Sequence, residues 1–241
     1  MLIALAFAVL AIFLGGDSPF IIPKLDNYVK THVVDDGRKT IVLESLDEAK
    51  DKRKAKVKQG EKELKKLDHL FNSRTATKEE MELVVKNIMD LQAESQEANI
   101  RVNQEAQKNI TEEEWGAIII DMGKGLEKAD KTINKANTSI SKAYTKWESK
   151  IEKSIVDENK KTKALESAHK LQAIYLKNRE IIEAELMNKN SKMYQYNSPE
   201  ADLNVLQNQF ITLMQEVLDT VVATHFELVD LTTEEEWKKI L

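Results

Sequence analysis

The chain has no cysteine. That excludes disulfides, thiolate nucleophiles, thiolate-held zinc or iron–sulfur clusters, and an acylated N-terminal cysteine. Proline is nearly as scarce. There are only 3, and none lies between Pro23 and Pro199. Proline removes a backbone donor and clashes with the preceding turn, so such a gap is what long helices permit. With 7 glycines in 241 residues the usual turn formers are also few, and few turns mean few, long elements. Aromatics make up 6% and charged residues 32%, which leaves a thin core suited to rods or a slender bundle. The formal charge of −5, from 36 basic and 41 acidic side chains, gives no overall attraction for nucleic acid or anionic lipid. Any such binding has to be local.

What is present begins with an uncharged apolar run, Leu2 to Leu14, carrying Leu2, Ile3, Leu5, Phe7, Val9, Leu10, Ile12, Phe13 and Leu14. It is shorter than the roughly 20 residues of a spanning helix. It can be extended through Phe20, Ile21 and Ile22 if Asp17 and Ser18 lie at the interface. As a cleaved signal it lacks a preceding basic region, and Gly15-Gly16-Asp17 is a poor cleavage site. The expectation is a retained membrane anchor over residues 1–22, with a buried core helix or an unprocessed signal as the plainer alternative. A junction over residues 23–43 follows. Lys24, Lys30, Arg38 and Lys39 argue for a cytoplasmic body by the positive-inside rule. The layout of a short apolar segment ahead of a long polar body argues for an exported one, and the exported side is slightly preferred.

Residues 44–230 read as an all-α body, an elongated antiparallel bundle or coiled coil. Thr40 to Leu43 has some strand character, and Ser45 to Glu48 offers a capping box opening a helix to about Asn72. The lysines between Lys50 and Lys66 are interleaved with acids and read as a solvated face. Thr77 to Glu80 is a second capping box. After it, Met81, Val84, Ile88 and Leu91 recur at steps of three and four, a seam fit for a partner helix. Beyond Leu91 the stripe turns small or polar, so packing is expected to loosen towards Gln107. Ile133, Ile140, Trp147 and Ile151 form the second partner-helix seam. Lys160 to Lys163 is expected to bend the chain, and Ser198 with Pro199 to cap the last long helix. That helix is the most apolar, and a short helix closes the chain over residues 231–241.

Thr111-Glu112-Glu113-Glu114-Trp115 recurs as Thr233-Glu234-Glu235-Glu236-Trp237. The physical reading is two like helix starts, each a capping box with acids at the positive helix end and an indole on the preceding loop. The stretches also resemble the Leu-Thr-x-x-Gln signature of small all-helical periplasmic chaperones of the Spy and CpxP type, with Trp115 and Trp237 near the place of the glutamine. The resemblance implies an exported cradle for unfolded chains.

Catalytic patterns are scarce. Only Glu166 and His169 have a Glu-x-x-His spacing, and a di-iron bundle needs a second copy. No phosphate loop, dinucleotide fingerprint or nucleophile elbow occurs. The sequence therefore leads to a non-catalytic, membrane-anchored helical scaffold or accessory subunit of a membrane protein complex. No cofactor, metal, small-molecule substrate or nucleic acid is expected. Its expected partners are the membrane, other subunits or a second copy of itself, and the alternative is the chaperone reading.

Overall fold

A computed structural model describes residue 20 and residues 22–241, apart from the side chains of residues 125–137 and 139. Among the described residues there are seven helices and no strand: α1 (Leu25–His32), α2 (Asp36–Asn72), α3 (Lys78–Lys108), α4 (Glu112–Ser154), α5 (Glu158–Met187), α6 (Glu200–Leu231) and α7 (Glu234–Ile240). The all-α class and the helical bundle follow from the sequence as read. The anchor positions Leu2 to Leu14 lie outside the described residues. No described helix is long and apolar enough to cross a membrane. Phe20 and Ile22, the far end of the expected anchor, are buried in the helical body instead, with the Phe20 ring 5.8 Å from that of Phe210.

Local caps set most boundaries. The Asp35 carboxylate accepts from the Arg38 N–H at 2.7 Å and opens α2, so the expected junction at residues 23–43 is helical on both sides of a short link. Thr40 to Leu43 is helix, and Ser45 to Glu48 sits inside α2, where backbone donors already have partners four residues back and no cap is needed. The capping boxes at Thr77, Thr111 and Thr233 all form. The break expected at Lys160 lies earlier. Asp157 caps α5 by accepting from the Lys160 N–H at 3.0 Å. Ser198 donates to the Lys192 carbonyl at 2.5 Å and does not cap α6, whose N-cap is Pro199.

The helices repeat. A separation of 122 positions, that from Thr111 to Thr233, carries the start of α2 onto that of α5, α3 onto α6 and α4 onto α7. It also places α1 on the last two turns of α4, Trp147 to Ser154. Side chains follow: Val34-Asp35 recurs as Val156-Asp157, Lys39-Thr40 as Lys161-Thr162, and Leu43-Glu44-Ser45 as Leu165-Glu166-Ser167. The chain is thus two like halves sharing one long helix. The start of α4 closes the first half and its end opens the second.

Packing obeys the same relation. α2 pairs with α3 and α5 with α6, as short connections dictate, and α3 meets α6 between the halves. α1 lies on α4 just as α4 lies on α7. The Trp115 indole donates to the Tyr194 carbonyl at 2.8 Å, and the Trp237 indole to the Asn72 carbonyl at 3.3 Å. Asn72 and Tyr194 are themselves matched positions. The Asn103 amide donates to Met193 at 3.4 Å, and at the matched place His225 Nδ1–H donates to Phe71 at 3.0 Å. At these two places each half hands its partner the same contact, as in an isologous two-fold interface formed within one chain.

Candidate functional site

The repeated motif marks the most elaborate polar constellation. Thr111 and Glu114 exchange the two bonds of a capping box at 2.9 and 3.2 Å. The Glu114 carboxylate also accepts from the Val34 N–H at 3.0 Å and from both terminal nitrogens of Arg38, at 2.7 and 2.9 Å. Arg38 in turn donates to the Asn109 carbonyl at 3.1 Å. One carboxylate thus ties the start of α4 to the link between α1 and α2. The Arg38 guanidinium, helped by the backbone donors of Thr111 and Val34, pulls the Glu114 carboxyl from its ordinary 4.5 down to about 2 against partial burial.

The second junction is built alike. Thr233 and Glu236 exchange bonds at 2.8 and 3.3 Å, and Glu236 accepts from the Val156 N–H at 3.2 Å. The matched position to Arg38 is Lys160. The Glu236 carboxyl is lowered chiefly by the Thr233 and Val156 backbone donors. Just beyond each held N–H the valine side chain points outward. Val34 is 83% and Val156 84% exposed. A second matched pair, Leu83 and Val205 near the starts of α3 and α6, is 60% and 59% exposed.

The residues read as partner-helix seams are placed inside the chain. Met81, Val84 and Ile88 are buried in the core, Leu91 half-buried, and Ile140, Trp147 and Ile151 buried. The side chain of Ile133 lies outside the described ones. The described members of both seams, Leu91 apart, are thus covered within the chain. Beyond Leu91 the stripe at that spacing is buried at Ser95, exposed at Ala98 and half-buried at Val102, and the covered face is a neighbouring polar one. Gln92, Ser95, Gln96, Asn99, Asn103 and Gln107 are all buried.

Among the described residues no group of three His, Asp or Glu side chains converges as a metal site. His169 of the Glu-x-x-His pair is exposed and bonded to Glu148 at 3.2 Å. His32 meets Asp121 at 2.8 Å, joining α1 to α4. The exposed valine and leucine pairs were not singled out in the sequence, although the recurrence of Val-Asp at 34 and 156 carries the signal. Comparison with protein-family models, with curated proteins and with solved structures gave no match.

Proposed function

We propose that this chain is a non-catalytic, membrane-anchored helical scaffold or accessory subunit. Leu2 to Leu14 would fix it to a membrane, with the body on the exported side, and the body would hold neighbouring subunits or a second copy. The observation that carries the partner role is the matched exposure of Val34 with Val156 and of Leu83 with Val205. Single exposed apolar side chains are ordinary, but the same ones left out at equivalent places in both halves form a paired display. The internal two-fold relation suits a partner that offers two like surfaces. Partner helices would dock on these outward residues and not on the seams.

The Thr-Glu-Glu-Glu-Trp stretches are fully accounted for by helix capping and by indoles bonded across the halves, so they lend no separate support to a chaperone. Purification of the native protein in mild detergent tests the proposal. Co-migration with other subunits or as a dimer, lost on replacing Val34, Val156, Leu83 and Val205 together by serine, is expected. Migration as a lone monomer would overturn it.

A further inference from the structure

The helix that joins the two halves carries glycines that its packing does not require. α4 runs unbroken from Glu112 to Ser154 and holds Gly116, Gly123 and Gly125, three of the chain's 7 glycines. Each glycine in a helix interior weakens it about fivefold relative to alanine, so each position needs a reason. Close approach is not the reason at Gly116 or Gly123. A Cβ built at either meets nothing beyond its own turn within 4 Å among the described residues. The duplication agrees: Trp115 is followed by Gly116 where Trp237 is followed by Lys238, and both positions are exposed.

Gly123 and Gly125 stand where α4 leaves one half for the other. Ahead of them Trp115, Ile118 and Met122 are buried, and Asp121 is bonded to His32 of α1. Beyond them Ile140, Tyr144 and Trp147 are buried, and Lys150 donates to the Leu241 carbonyl just past α7 at 2.8 Å. The surfaces that the halves turn to each other are also known. α3 meets α6, and the Gln207 amide of the second half donates to the Ala93 carbonyl of the first at 3.1 Å. Arg74 of the first half donates to the Val229 carbonyl of the second at 2.9 Å, beside the two indole bonds described above. None of these contacts depends on which copy of the chain supplies the second half.

We infer that α4 opens at Gly123 and Gly125, and that the first half of one copy then packs on the second half of another. The partner is a second copy of this chain, and the surface it takes is the one that already joins the halves. An exchanged dimer repeats each of these contacts twice and differs from two monomers only at the crossover and in the lost tether. A tether holds its ends at an effective concentration on the order of millimolar, so exchange grows as the chain nears that range. This association goes beyond the outward docking proposed above and uses none of Val34, Val156, Leu83 or Val205.

Spin labels on the full chain in mild detergent test the exchange. One batch carries Val34→Cys in the first half and another Val205→Cys in the second, with no other cysteine present. The two are unfolded in denaturant, mixed and refolded together at about 1 mM. Exchange predicts, between copies, the same distance distribution that one chain carrying both labels shows within itself. No coupling between copies overturns the inference. Coupling only at distances absent from the doubly labelled chain overturns it too, and is the result expected of a dimer docked through outward residues. Gly123→Ala stiffens both crossovers of the dimer and should lower its formation constant about 25-fold. Gly116→Ala, held in the first half between the buried Trp115 and Ile118, should leave that constant within about twofold. Equal effects of the two variants, or none from Gly123→Ala, would overturn the hinge.

Discussion

The two halves share a plan and differ in what they bury. Along the inner face of α6, Met214, Val217, Leu218 and Val221 fill the second half with apolar side chains. At the matched positions of α3 stand Gln92, Ser95, Gln96 and Asn99, equally buried. Neither amide atom of Gln92 or Gln96 has a hydrogen-bond partner among the described residues. An unpaired buried amide costs on the order of 1–3 kcal/mol, so this face of α3 carries a cost that the matched face of α6 avoids. The same backbone arrangement thus tolerates either filling. What both halves keep is the junction: the capping box, the carboxylate held by a backbone N–H from the preceding link, and the indole reaching across.

Several substitutions sharpen that contrast. Removing either indole, Trp115→Ala or Trp237→Ala, should cost about 3–5 kcal/mol, and by similar amounts, because each fills the same place. Denaturant unfolding of the two variants checks it, and a large inequality would break the equivalence of the halves. Next, giving α3 the side chains of α6 through Gln92→Met with Gln96→Leu should stabilise the protein by about 1–3 kcal/mol. A lower melting temperature would show that the two amides are satisfied by bound water.

The junction acids differ in their cation: Arg38 hydrogen-bonds Glu114, whereas Lys160 acts on Glu236 only through its charge. The Glu114 carboxyl is held at about 2 by Arg38, against an ordinary 4.5, so its contribution is complete above about pH 4.5 and is lost as pH falls towards 2. Glu114→Gln should flatten stability across that window at a cost of about 1–2 kcal/mol near neutrality, measured by pH-dependent unfolding. Glu236→Gln should flatten it less, since Lys160 stands in the place of Arg38.

The smallest effect concerns His225. Burial lowers its pKa despite the Phe71 carbonyl, so the folded state resists the proton that the unfolded chain accepts. Stability should therefore decline as pH drops below the ordinary 6.5. His225→Asn, which copies Asn103, should remove the decline and leave stability near neutrality within about 1 kcal/mol.

Much of this plan was legible in local spacing. Thr77, Thr111 and Thr233 cap because a hydroxyl and a carboxylate three residues apart need no distant partner. Long helices followed from the missing proline, and the apolar stripes located the core. Contacts between remote segments were not legible. Nothing near Glu114 announces Val34 or Arg38, which reach it across some 80 positions. The start of α2 was obscured because Asp35-Asp36-Gly37 has the composition of a break, yet its first aspartate is a cap. The stripes could not say whether they close within one chain, since the same spacing serves an internal helix and a foreign one. The duplication showed only where five residues coincide. Elsewhere the halves agree in element boundaries and in which positions are buried more than in residue identity.

Distances between spin labels placed on the exposed matched residues test the internal symmetry without disturbing the core. In the cysteine-free chain, a label pair at Val34→Cys and Val205→Cys spans the same relation as a pair at Val156→Cys and Leu83→Cys. Two halves related by a two-fold axis require the same distance distribution from both pairs. Distinct distances would show that the halves are not packed as equivalents.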